Sequence, residues 1–290
     1  MNSLRSVVHA TLAMTLFFTL FPAKLKRGST NAATSGCVDT AFSLSEAKQL
    51  LFIIASSTFM TKAAHTCDLS TCFLCRNSLK DWLPAIGSHK QNITLKKGQQ
   101  LFKEGDDVTG IYFMYKGVVK VHKQWDQEKD LILRFAKQGD ILGHLGLGDT
   151  STYPISATAV EPAIVCFVKM DFFESSLNVN SQLTYKLMKF FANELQESEK
   201  RMRNLAHMPV KERIAQALLS LRSQFGLNAD GYVDIELTRQ DISSYASVVY
   251  ETFFKVTQEF IQNKLITLDG KSFKLLDEDA LKEMTLGRKK

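Results

Sequence analysis

The chain reads as an α+β protein in which an antiparallel β-sandwich or barrel precedes a long amphipathic helix and a small helical module. Two observations carry that prediction. Over residues 93–168 short β-branched and aromatic runs alternate with glycine punctuation, whereas from Ser181 onward apolar residues recur every three or four positions. The composition supplies material for both parts: of 290 residues, 45% are hydrophobic and 23% charged, enough for two cores. Five prolines and 15 glycines exclude collagen-like and low-complexity chains. Five cysteines are too few for a disulfide framework, and the odd count leaves one unpaired. A net charge of +6 suits an anionic partner without requiring one.

In the β-rich part the strands are expected in ITLKKGQQLFKEGD, GIYFMYKGVVKVH, LILRFAKQGDILGHLGLGD, ISATAV and AIVCFV. Gly98, Gly105, Gly110, Gly117, Gly139 and Gly143 lie between apolar runs, where chain reversals are expected. After Lys169 the period changes. Leu183, Leu187, Phe190, Phe191, Leu195, Met202 and Leu205 predict one helix over 181–208. A helix of about 28 residues exceeds what one domain of this size needs. With Leu187, Phe191, Leu195 and Met202 on one stripe, it is expected to form a two-stranded seam between two copies of the chain rather than lie on its own barrel.

Beyond Pro209 come two more helical patterns, KERIAQALLSLRSQF and TRQDISSYASVVYETFFKVTQEFIQNKLI, then the strand-like LITLDG and SFKLLD. Thr238 followed three residues later by Asp241 resembles a capping box and opens a short helix with Ile242, Tyr245 and Ala246 inward. Ser247, Val248 and Val249 interrupt it. A second helix then buries Phe253, Val256, Phe260 and Ile261, leaving Tyr250, Glu251, Phe254, Lys255 and Gln258 outward. Two helices joined by a short turn, with polar groups at the exposed start of the second, is the geometry that sets a helix end into the major groove of DNA.

From about Asp81 to the C-terminus, KKGQQLFKEGD, IYFMYKGVVKV, QGDILGHLGLGD, RIAQALLSL and TRQDI followed by YETFFKV and NKLI occur in an order and spacing that resembles the Crp/Fnr superfamily of bacterial transcription regulators. The resemblance implies a cyclic-nucleotide-binding-type jelly-roll, a long dimerisation helix and a C-terminal winged helix-turn-helix, with the recognition helix starting near Tyr250 and the wing in 265–276. It divides the chain into an extension at 1–59, a cysteine-containing segment at 60–92, a barrel at 93–170, a helical linker and dimerisation helix at 171–208, and a DNA-binding domain at 209–290. It also implies a cytoplasmic protein whose partners are double-stranded DNA and a second copy of itself, with RNA polymerase a further candidate and no membrane.

The same resemblance places Arg239 and Gln240 on the family's TRQ motif, which touches phosphate. Glu251 matches a recognition glutamate suited to a cytosine amino group, and Lys255 replaces a basic reader of guanine or phosphate. The DNA-contacting set implied is Arg239, Gln240, Tyr250, Glu251, Thr252 and Lys255. Tyr250 stands where the family most often has arginine, and Ser247 and Val249 replace the usual turn glycine and capping Ser or Thr. From Pro209 onward 12 Lys and Arg meet 12 Asp and Glu, so affinity for DNA requires the cations to cluster on one face.

In the family's nucleotide binders a glutamate after the glycine of a GELGL segment holds the ribose, and an Arg-Ser pair holds the cyclic phosphate. Here the segment reads Gly143-His144-Leu145-Gly146-Leu147, and the Arg-Ser position falls at about Tyr153-Pro154. A charge-assisted contact of a type worth about 1.5–3 kcal/mol is missing. No cyclic AMP response is therefore expected, and Gly143, His144, Leu145 and Tyr153 are left to another effector or to filling the pocket themselves.

Cys67, Cys72 and Cys75 form C-x4-C-x2-C ahead of the barrel, a spacing that points to a metal or a thiol switch rather than a structural disulfide. Zinc or an iron–sulfur cluster is the cofactor class to weigh, with Cys166, His65 and His89 as further ligands. The oxygen-sensing branch of the family likewise carries N-terminal cysteines plus one in the barrel, at a different spacing. Cys166, mid-strand in AIVCFV, reads equally as an inert buried thiol. No catalytic constellation such as H-E-x-x-H occurs, so no enzyme is expected. The competing reading is a ligand- or redox-sensing module whose DNA binding is weak or lost.

The residues ahead of this hold an apolar stretch at 7–21, about 15 residues where a spanning helix needs roughly 20. With Arg5 before it and Asn31-Ala32-Ala33-Thr34 after, it resembles a signal peptide diluted by His9 and three threonines. An intracellular regulator has no use for export, so translation is expected to start at Met60. A secreted or membrane-tethered binding protein is the alternative.

Overall fold

The computed structural model describes residues 69–124 and 130–286, all within one unit, Phe59–Lys290. The signal-like stretch, the Met60 start, His65 and Cys67 lie outside the described residues. Two short helices, α1 (Phe73–Asn77) and α2 (Leu83–His89), precede the barrel. Neither is long enough for a helical period to show in the sequence; α2 is marked by Pro84 in its first turn, where the missing N–H costs nothing.

Eight strands follow: β1 (Lys90–Leu95), β2 (Gln100–Phe102), β3 (Gly110–Lys116), β4 (Val119–Gln124), β5 (Asp130–Ala136), β6 (Ile141–Leu142), β7 (Ser156–Ala159) and β8 (Ala163–Lys169). They form two four-stranded antiparallel sheets, β1-β8-β3-β6 and β2-β7-β4-β5. The neighbours are mostly distant in sequence, the crossover pattern of a jelly-roll. Leu95, Tyr112, Met114, Val119, Val121, Ala157 and Val165 fill the space between the sheets. Ile111 and Phe113 point the other way, into a second apolar cluster with Phe73, Phe173 and Leu183. Covered on both faces, β3 reads as an unbroken apolar run rather than an alternation. Five of the six glycines expected at reversals have left-handed φ, but Gly110 does not. It lies in β3, where a Cβ would sit 2.1 Å from the Val168 carbonyl oxygen, so close packing rather than a turn requires it.

Helix α3 (Met170–Val179) leads into the long α4 (Ser181–His207). Buried Asn180 joins them, donating to the Ser176 carbonyl at 2.7 Å and accepting from the Leu79 N–H at 2.7 Å. Leu187, expected on the seam between copies, is instead only 5% exposed and packs in the cluster of Phe113 and Phe173. The stripe left open consists of Met188, Leu195 and Met202, with Leu205 alongside and Phe191 half-buried. One residue along a helix turns the side chain by about 100°, so the barrel takes Leu187 and leaves its neighbour Met188.

The C-terminal module comprises α5 (Val210–Phe225), α6 (Arg239–Tyr245), α7 (Tyr250–Gln262), the antiparallel hairpin β9 (Ile266–Asp269) and β10 (Ser272–Leu275), and α8 (Glu278–Thr285). Ile214, Leu218, Ile242, Phe253, Phe260, Phe273 and Leu281 form its core, which continues through Ile132 and Phe135 into strand β5 of the barrel. Full burial of each such side chain stabilises by about 1.5–3 kcal/mol. No described helix is long and apolar enough to cross a membrane.

Candidate nucleic-acid interface and effector pocket

Helix α6 opens as the sequence predicts. Thr238 Oγ1 accepts from the Asp241 N–H at 3.0 Å and donates to Asp241 Oδ2 at 2.5 Å. The turn to α7 forms without its usual residues. Ser247 adopts φ +56°, a left-handed conformation that costs a non-glycine residue about 1–2 kcal/mol. Val249 stands at the N-cap of α7 with no side-chain hydrogen bond to the helix. A Ser or Thr there typically contributes about 1 kcal/mol. The departures cost stability but leave the geometry intact, since Val248 N–H still reaches the Ser243 carbonyl at 3.0 Å.

Phe253 and Phe260 are buried under α7, Val256 and Ile261 half-buried, and Tyr250, Glu251, Phe254 and Lys255 exposed; Gln258 and Thr252 are half-buried. Buried Thr257 was not legible as core, because its hydroxyl needs the partner that only the helix supplies, the Phe253 carbonyl at 2.9 Å. Gln240 is exposed and Arg239 half-buried at the start of α6. The neutral module sorts its charges. Lys211 pairs with Glu259, and Arg222 and Lys282 pair with Glu278, both at 3.0 Å. Among the described residues Arg239, Lys255, Lys264 and Lys271 form no ion pair.

The expected pocket residues do not meet in one cavity. Tyr153 is 2% exposed and fills the barrel interior, its ring stacked 4.2 Å from that of Phe102. Its hydroxyl donates to the Gly110 carbonyl at 2.7 Å and accepts from the amides of Gly110 and Thr109 at 3.2 and 3.3 Å. Gly143, at φ +77°, packs so closely that a Cβ would lie 3.2 Å from the Tyr153 ring. His144 turns the opposite way, towards α4, with its ring edge-on to Phe190 and Phe191 at 4.9 and 5.5 Å. Leu145 is exposed.

Burial, reinforced by nearby Arg134, holds the His144 pKa down to about 3, so the imidazole is neutral in the fold. The unfolded chain takes up that proton below an ordinary value of about 6.5, whereas the fold resists it down to about 3. The stabilisation is complete above the unfolded value and falls as the pH drops through this window. At pH 5 the wild type is expected to have lost about 2 kcal/mol through this group. Urea unfolding at pH 7.5 and pH 5 checks it: His144→Leu should lack that part of the pH dependence.

His144 and Leu145 do line a cavity of about 860 Å³ bounded by β5, α4, α5 and the end of α6, together with Arg134, Leu195 and Arg201. Arg201 joins three elements, donating to the carbonyls of Ile132 and Tyr245, each at 3.3 Å, with its guanidinium 4.8 Å from the Tyr245 ring. Burial lowers its pKa and raises that of the Tyr245 hydroxyl. Further contacts fix α6 to the barrel. Lys120 on β4 donates to Asp241 at 2.8 Å, and Ser244 Oγ accepts from Ile132 N–H at 3.2 Å while donating to the Asp130 carbonyl. None of these was legible in the sequence, where the partners lie far apart and no spacing links them.

Cys72, Cys75 and Cys166 are buried in one apolar cluster, and Cys72 and Cys166 line the same small cavity beside Asn92 and Phe113. His89 lies apart, stacked on Phe172 at 4.1 Å. Among the described residues no group of three or more His, Cys, Asp or Glu is placed to hold a metal ion.

Family models place a cyclic nucleotide-binding domain at residues 92–180 and a Crp-like helix-turn-helix domain at 212–284. The transcriptional activator protein anr of Pseudomonas aeruginosa is 30% identical over 191 residues, 65% of this chain and 78% of that protein. The cAMP-activated global transcriptional regulator CRP of Salmonella typhimurium is 31% identical over 178 residues, 59% of this chain and 83% of that protein. Among solved structures, FixK2 from Bradyrhizobium japonicum superposes with a TM-score of 0.60 at 22% identity, covering 67% of this chain and 96% of that one, and supports the fold. A sensor-type barrel followed by a helix-turn-helix, in the order of relatives matched over most of their length, makes this chain a member of the Crp/Fnr superfamily, whose members are transcription regulators and not enzymes.

Proposed function

We propose that the chain is a homodimeric, sequence-specific DNA-binding regulator of the cytoplasm, controlled by something other than cyclic AMP. The observation that carries this reading is the outward face of α7, where Tyr250, Glu251 and Lys255 stand exposed on a helix held from behind by Phe253 and Phe260. Glu251 accepts from a cytosine amino group, Lys255 donates to guanine or phosphate, Thr252 and Tyr250 flank them, and Arg239 and Gln240 hold the backbone. The open stripe of α4 supplies the seam that pairs two such helices. The division of labour runs from the barrel (93–170) through the helical linker (171–208) to the DNA-binding domain (209–290), with RNA polymerase the partner that regulation of transcription adds.

Cyclic AMP is disfavoured because Tyr153 occupies the barrel interior and brings no cation to a phosphate. Selection of bound duplexes from a random pool tests the reading. It is expected to enrich a palindrome whose half-sites lie about one helical turn apart, and to fail with Glu251→Ala. Enrichment of no sequence would overturn it.

A thiol-based sensor is a second reading, favoured by Cys72 and Cys166 lining one cavity with Cys75 in the same cluster. Thiolates are the donors that zinc and iron–sulfur clusters take, and since the described cysteines are not grouped as a metal site, Cys67, beyond the described residues, would have to join them. About one equivalent of zinc or cluster in protein purified without oxygen, lost in Cys75→Ser, would support it; metal-free protein would contradict it.

A further inference from the structure

We propose that Phe254 is an additional specificity-determining residue, an apolar reader of a thymine methyl group in the major groove. The inference rests on α7 being the DNA-reading helix. Residues three and four apart share a helix face. Phe254 lies four after Tyr250, three after Glu251 and four before Gln258, at the middle of the outward face rather than its edge. Its side chain is 42% exposed and belongs to no apolar cluster, while its neighbour Phe253 is fully buried. Tyr250, four residues before it and 38% exposed, extends the same face to the start of the helix.

A phenyl ring left in water beside Glu251 and Lys255 adds little to folding and gains only when an apolar group covers it. Its neighbours select that group. The apolar patch of a protein partner would have to strip water from the Glu251 carboxylate and the Lys255 ammonium without pairing them, a costly burial. The major groove offers donors and acceptors for both of those groups and, beside them, one apolar feature, the C5 methyl of thymine. An apolar side chain flanked by an acceptor and a donor thus matches a run of mixed base pairs that includes thymine.

The test uses the full chain and the duplex it selects, replacing each thymine of the half-site in turn by deoxyuridine, which keeps every hydrogen bond and lacks only the methyl. At one thymine per half-site the wild type is expected to bind about three- to fivefold more weakly, the effect of one methyl group returned to water. Phe254→Ser should bind the two duplexes equally, and Phe254→Leu should keep part of the difference. Because Phe254 lies outside the core, both variants should unfold at the wild-type temperature. Tolerance of deoxyuridine at every position by the wild type, or an unchanged methyl dependence in Phe254→Ser, would overturn the inference and leave the DNA-binding reading standing. Failure of the wild type to enrich any duplex would overturn both.

Discussion

Replacing Leu195 and Met202 together by glutamate is expected to separate the proposed dimer into single chains and to weaken binding to a duplex with two half-sites more than a hundredfold. Both side chains are more than 60% exposed in the single chain, seven residues apart on one stripe of α4, the repeat of a two-stranded helical seam. Four such side chains would meet in the proposed dimer, and with somewhat over half of each left to bury, the low figure of about 1.5 kcal/mol for a full burial gives roughly 4 kcal/mol. Glutamates there forfeit that burial and face one another with like charge. A monomer engages one half-site at a time and loses the effective concentration that links the second, a factor of about 10² to 10⁴. Sedimentation velocity and a binding titration check both consequences. Leu187→Glu is the control, because it strikes the chain's own core and should lower the unfolding temperature in the monomer as well. A double variant that stays dimeric would move the seam elsewhere.

Tyr153→Ala is expected to destabilise the fold by about 3–5 kcal/mol, the range for an aromatic side chain removed from a packed core. The loss combines the stacking on Phe102 with the vacated volume, and it also strips the Gly110 carbonyl of its donor. Tyr153→Phe isolates that last part and should cost only about 1–3 kcal/mol, the price of a buried polar group left unpaired. Chemical denaturation of the three proteins measures both values. Neither variant gains cyclic AMP binding, because an enlarged cavity still brings no guanidinium to the phosphate. Equal stability of Tyr153→Ala and the wild type would mean that Tyr153 is not a structural plug, which would reopen the interior to a ligand.

What the sequence disclosed and what it withheld follow from the range of the interactions. The α6–turn–α7 unit was legible because its determinants are local: the Thr238–Asp241 cap, the break at Ser247 and the three-to-four spacing of Phe253 and Phe260. The long helix was legible by period, but its orientation was not. Leu187 and Met188 are both apolar, and only the barrel surface decides which is covered. By sequence His144 and Tyr153, nine residues apart, read as one pocket, yet they point to opposite sides of the barrel wall because Gly143 and the turn after it redirect the chain. The Lys120–Asp241 pair and the Arg201 bridge join residues with no sequence relation, so no pattern announces them. Ser247 and Val249 read as missing signals for the turn. The structure makes the turn without them, because Ile242, Ala246 and Phe253 are buried around it.

The measurement that bears hardest on a two-fold DNA reader is the dissociation constant of the wild-type protein for its selected palindrome, compared with the same duplex carrying five extra base pairs between the half-sites. Half a helical turn places the second half-site on the opposite side of the DNA, out of reach of a partner helix fixed by the α4 seam. A fall in affinity of at least a hundredfold is predicted. Equal affinity for the two duplexes would contradict the account.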